Sequence, residues 1–132
     1  MIFVKNIFDL KLKTFIIVIS VALFFTNCKD NFSFLSKTER LTRKTWIVTS
    51  MVDTQSNQNL EYIDCKYQFL ENGTLITTVI EKNIKDTSDW KFLHNEEYLR
   101  IGANTFKINS LTKKIMGLKY GSIDIFYQPI YE

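Results

Sequence analysis

Few side chains in this sequence could carry out chemistry. The single histidine, His94, sits in the turn-like stretch Leu93-His94-Asn95-Glu96. Acid–base or zinc chemistry would need partners for it, and with no second histidine it reads as a solvated turn residue. Asp86 and Asp89 flank an expected turn and strand start, where acids are ordinary. Glu96 and Glu97 are adjacent, so in an extended chain they point to opposite faces and cannot act together on one substrate. Glu61 and Asp64 offer too few oxygens for a calcium site. The 4 glycines build no phosphate-binding loop. The sequence therefore predicts a protein that is not an enzyme, with no metal site and no cofactor.

The 2 cysteines have different surroundings. Cys28 directly follows an apolar run, Phe15 to Phe25, that lies behind Lys11 and Lys13. The run is shorter than the roughly 20 residues a membrane-spanning helix needs. A basic segment followed by a short apolar one is the layout of a secretory leader. The ending Phe25-Thr26-Asn27-Cys28 resembles a bacterial lipobox. That resemblance implies that the leader, residues 1–27, is removed and that Cys28 carries acyl chains as a membrane anchor. Lys29 stands where inner-membrane lipoproteins commonly carry Asp, so the resemblance implies the outer membrane. Lys29-Asp30 also looks like a surface-export tag of some Gram-negative bacteria, which leaves the periplasmic face and the cell surface both open. A Cys28 thioether cannot form a disulfide, so Cys65 stands alone in the mature chain and reads as a small buried hydrophobe.

Composition narrows the class further. In 132 residues, 45% are apolar, 14% aromatic and 23% charged. Removal of the leader takes away Lys5, Lys11, Lys13 and Asp9, leaving about +1 of the formal +3. So slight a charge gives no electrostatic case for nucleic acid. The chain divides into the leader, a lipid-anchored tether over 28–36, and one folded domain over 37–132.

The elements of that domain follow from capping and periodicity. Ser36-Lys37-Thr38-Glu39 fits a capping box and predicts a short helix over 37–43. Beyond it the pattern changes to short alternating runs with frequent turn signals. Strands are predicted over 45–53, 64–70, 74–81, 87–92, 97–101, 105–109, 113–120 and 122–128, with a longer excursion over 54–63. Short connections force sequential neighbours to pair antiparallel. The fold class is thus all-β: an eight-stranded antiparallel up-and-down barrel with a short N-terminal helix, preceded by a lipoprotein signal peptide. Closing the sheet removes its exposed edges. The predicted inward face holds Trp46, Val48, Val52, Tyr67, Phe69, Trp90, Phe92, Leu99, Ile101, Phe106, Ile108, Met116, Leu118, Ile123 and Ile125. Lys91, Arg100, Lys107, Lys119 and Asp124 lie between them and face out.

One turn decides a register. Leu70-Glu71-Asn72-Gly73-Thr74 can form a two-residue type I′ turn, or a type I turn with Gly73 as a G1 bulge. The two differ by one residue and exchange the faces of the next strand. The bulged form asks only Gly73 for positive φ and is preferred here. It pairs Phe69 with Leu75 and Tyr67 with Thr77, and sends Leu75, Thr77 and Val79 inward.

The order Leu41-x-x-x-x-Trp46-x-Val48, then Cys65-x-Tyr67-x-Phe69-x-x-x-Gly73-Thr74, then Trp90, Leu99-x-Ile101, Phe106-x-Ile108 and Leu111-Thr112, resembles the lipocalin-like domain of small bacterial outer-membrane lipoproteins. The resemblance covers nearly all of 37–128 and implies fold but no catalytic residues. An eight-stranded barrel is wide enough to be filled by side chains or to hold one small ligand. Two functions follow as alternatives. One is a membrane-anchored lipocalin-like lipoprotein that binds a small apolar ligand. The other is a filled-barrel interaction module or inhibitor that contacts an envelope protein or polymer. Trp46, Phe69, Trp90 and Phe106 are the candidate barrel lining, though large aromatics at such positions are first of all what a packed core contains. Membrane attachment is directly testable: Cys28→Ser should shift the protein out of the detergent phase and remove the acyl mass from the N-terminal peptide.

Overall fold

A computed structural model describes Lys13 and residues 35–131. The expected leader, Cys28 and all of the tether up to residue 34 lie outside the described residues. The domain starts with helix α1, Lys37–Thr42. Ser36 caps it as the sequence predicts: its hydroxyl accepts from the Glu39 amide, and the Glu39 carboxylate accepts from the Ser36 amide. The helix is one residue shorter than expected, because Arg43 is its C-cap.

Nine strands follow among the described residues. They are β1 (Thr45–Asp53), β2 (Gln58–Asn59), β3 (Cys65–Phe69), β4 (Thr74–Val79), β5 (Ile84–Leu93), β6 (Tyr98–Ile101), β7 (Asn104–Leu111), β8 (Met116–Tyr120) and β9 (Ile123–Ile130). Every ladder is antiparallel, and β1 pairs with both β3 and β9. Eight strands thereby close into an up-and-down barrel. The extra strand, β2, is a two-residue ladder on the end of β1 within the predicted excursion. Strand β5 is longer than predicted and β8 shorter. Residues 112–115 turn instead of extending, because the Thr112 hydroxyl accepts from the amides of Lys114 and Ile115.

Alternating strand direction sorts the connections to two ends. Turns 70–73, 94–97 and 112–115 lie with α1 at one end; turns 80–83, 102–103 and 121–122 and the 54–64 excursion lie at the other. Helix α1 plugs the first end. Leu41 is fully buried, and its carbonyl accepts the Trp46 indole N–H at 3.0 Å. The Trp90 indole N–H likewise meets the Leu70 carbonyl at 2.9 Å. A buried indole needs such a partner, so these two bonds fix where the large rings sit. Phe69 packs edge-on against Trp90, at 5.9 Å between ring centres, and Trp90 against Phe92 at 5.6 Å. Leu75, Leu99, Met116 and Leu118 complete the dense layer.

The turn after β3 takes the bulged form. Gly73 has φ +86°, Leu70 pairs with Thr74 through its amide, and the register sets Phe69 opposite Leu75 and Tyr67 opposite Thr77. Trp90 is buried and Lys91 exposed, so the inward face of β5 is as expected.

Strand β1 departs from the prediction. Its ladder to β9 slips between Val48 and Ser50, leaving Thr49 as a bulge. A bulge shifts the alternation by one residue. Met51, not Val52, therefore faces inward: Met51 pairs with buried Ile125, and Val52 with outward-facing Asp124. Strand β7 has a similar slip between Ile108 and Ser110, and so both Ile108 and Leu111 reach the core. Gly117 pairs with Ser110 at that irregularity, where a Cβ would come within 2.9 Å of the Ser110 hydroxyl.

Phe69 is 1% exposed amid this layer. Phe69→Ala is expected to lower unfolding stability by about 3–5 kcal/mol, read as a lower urea midpoint at unchanged m-value.

Candidate functional site

Above the aromatic layer the barrel interior opens. A cavity of about 470 Å³ lies at the end opposite α1. Its wall comes from seven strands: Val48 and Met51 of β1, Cys65 and Tyr67 of β3, Leu75 and Thr77 of β4, Ser88 of β5, Ile101 of β6, Phe106 of β7, and Ile125 and Tyr127 of β9. Glu61, Tyr62 and Ile63 of the 54–64 excursion stand at its mouth. Each wall residue is inward for a reason set by register. Tyr67 and Thr77 are cross-strand partners under the Gly73 bulge, and Met51 is turned in by the Thr49 bulge.

The residues singled out from sequence divide between two layers. Trp46, Phe69 and Trp90 belong to the packed layer beside α1 and do not line the cavity. Phe106 does line it, and its ring packs on Tyr120 at 5.2 Å. The physical reason is axial position: inward residues near the α1 end meet the Leu41 plug, and those farther along the axis meet none. Cys28 lies outside the described residues. Cys65 is a free, buried thiol in the cavity wall. His94 is an exposed turn residue stacked edge-on against Tyr98 at the α1 end. Asp89 pairs with Arg100 on the outer face at 2.6 Å. Among the described residues no group of three or more His, Cys, Asp or Glu is placed to hold a metal ion.

Two tyrosines dominate the polar side of the cavity. The rings of Tyr67 and Tyr127 meet edge to face with centres 5.5 Å apart. Burial pushes the Tyr67 phenol up to about 12, with the neighbouring Cys65 thiol adding to the effect. Burial, and then proximity to Tyr67, raises Tyr127 as well. Both are therefore neutral hydrogen-bond donors at physiological pH. Tyr127 could have been found by continuing the Ile123, Ile125 alternation by two residues. Met51 could not, because the Thr49 bulge leaves no clear mark in the sequence.

A scan against protein-family models finds no match, and neither does a search of curated proteins. Solved structures do match. A lipocalin-like protein from Bacteroides uniformis aligns with a TM-score of 0.57 at 12% identity, over 69% of this chain and 99% of that one. The fold is lipocalin-like. An uncharacterized protein from Bacteroides eggerthii aligns with a TM-score of 0.54 at 13% identity, over 66% of this chain and 98% of that one. At such low identity the shared lipocalin-like barrel carries no side-chain correspondence, so the site has to be argued from this chain's own residues.

The raised phenol sets a pH dependence. The folded state holds the Tyr67 proton above the pH at which the unfolded chain, with its ordinary value near 10, releases it. The stabilisation is complete below about pH 10 and is lost as pH rises toward 12. Urea unfolding across that window should therefore show stability falling with pH in the wild type, and falling less steeply in Tyr67→Phe.

Proposed function

We propose that this chain is a membrane-anchored lipocalin-like lipoprotein that binds a small apolar ligand in the open half of its barrel. The observation that carries this reading is the cavity of about 470 Å³. That volume falls within the range of about 300–1,000 Å³ typical of small-molecule sites. Its wall is chiefly aliphatic and aromatic, and burial of apolar ligand surface against it would drive binding. The strands that form the wall are locked into a closed barrel, so the site is largely formed before the ligand arrives.

In this proposal the ligand is bound and not transformed. Anchoring is through lipid on Cys28, in the outer membrane, and rests on the lipobox-like sequence and on Lys29 after the cysteine. Around the cavity mouth Ile63, Ile80 and Ile84 are exposed by 71%, 46% and 57%. They favour a second reading, in which this end contacts an envelope protein. An apolar rim of this kind also serves a ligand that enters from a lipid phase.

Untargeted mass spectrometry of an organic extract of the purified protein tests the carrier reading directly, with one recurrent apolar compound at near-stoichiometric yield as the expected result. Thr77→Trp should fill the cavity from its wall and weaken binding of the neutral dye Nile red at least about tenfold, or about 1.4 kcal/mol. Unchanged dye binding in a folded Thr77→Trp variant would remove the cavity as the site.

A further inference from the structure

The cavity wall is chemically one-sided. Among its described residues there is no lysine, arginine or histidine. The one carboxyl group of the lining is that of Glu61, at the mouth. The polar groups farther in are neutral: the hydroxyls of Tyr67, Tyr127, Thr77 and Ser88, and the Cys65 thiol. Tyr127, in the wall of the cavity, is only 6% exposed. A molecule that fills the cavity displaces water from the hydroxyls of its wall, and one that supplies an acceptor in exchange avoids leaving them unpaired.

Resting on the carrier reading above, we infer that the ligand is a neutral, largely apolar molecule with a hydrogen-bond acceptor, such as a carbonyl or ester oxygen, held by Tyr67 and Tyr127. Carboxylates of the same chain length are discriminated against. The two rings meet edge to face with centres 5.5 Å apart, in the wall of the same cavity. Both phenols are protonated at physiological pH and can donate, Tyr67 by exchanging its hydrogen bond with the Cys65 side chain for one with the ligand. A carboxylate would have to shed its water with no cation to replace it, and would pass Glu61 on entry. A pure hydrocarbon would fit the apolar wall but leave the Tyr127 hydroxyl unmet. A neutral acceptor satisfies both constraints.

The test uses the purified full chain and three probes of one chain length: methyl dodecanoate, dodecanoate and dodecane, with adducts quantified by native mass spectrometry. Methyl dodecanoate is expected to bind at least about tenfold more tightly than dodecanoate. Tyr127→Phe, which keeps the ring and removes only the hydroxyl, should weaken the ester several-fold and leave dodecane unchanged. Tyr67→Phe is a second, independent removal of a donor and should act in the same direction. Dodecanoate binding as tightly as the ester would overturn the neutral class. Ester binding unchanged in both Phe variants would overturn the role of the hydroxyls. Failure of all three probes to bind would overturn the carrier reading itself, and this inference with it.

Discussion

The width of an eight-stranded barrel governs everything else in this molecule. Such a barrel encloses space for its own side chains or for one small ligand. Here a filled half and an open half are separated along the axis. At the α1 end, Leu41, Trp46, Phe69 and Trp90 fill the interior, with the two indole N–H groups bonded to the Leu41 and Leu70 carbonyls. Those bonds hold large rings in one layer and let the opposite half stay open. The packed layer and the open space thus occupy different halves of one barrel, which is how a small domain without a disulfide among its described residues can hold a cavity.

Closure makes the cavity a property of register. Its wall is drawn from strands far apart in sequence, and each contributes only every second residue. One slipped residue would therefore replace an apolar wall by the polar outer face. Three local devices prevent this: the left-handed Gly73, the Thr49 bulge and the slip at Asn109. The close approach of Gly117 to Ser110 belongs to the last of them, since a Cβ there would come within 2.9 Å of the Ser110 hydroxyl and force it to turn away.

The electrostatics of the interior follow from what the register excludes. Lys91, Arg100, Lys107 and Lys119 alternate outward, so the cations of these strands stay in water. What remains inside is neutral, and the two raised phenols are the consequence of that low-polarity surrounding. The same alternation that builds the core thereby sets the chemistry of the cavity. Asp89 and Arg100 pair on the outside, where water screens them and their contribution to stability is small.

The sequence alone determined the element types, most of the strand order and the helix cap. These depend on local patterns: Ser36 with Glu39, Gly73 in a five-residue turn, and alternation in each run. It also determined that Trp90 is inward and Lys91 outward, because period-two patterning is read within a single strand. Tertiary structure decided the rest. Whether Trp46 or Phe106 lines a cavity depends on height along the barrel axis, which no local pattern encodes. Met51 replaces Val52 because of a bulge formed by pairing with β9, some 70 residues later in the chain. Tyr67 and Tyr127 become neighbours only when β1 pairs with both β3 and β9 and closes the sheet, since contact across a closed barrel is a product of long-range pairing.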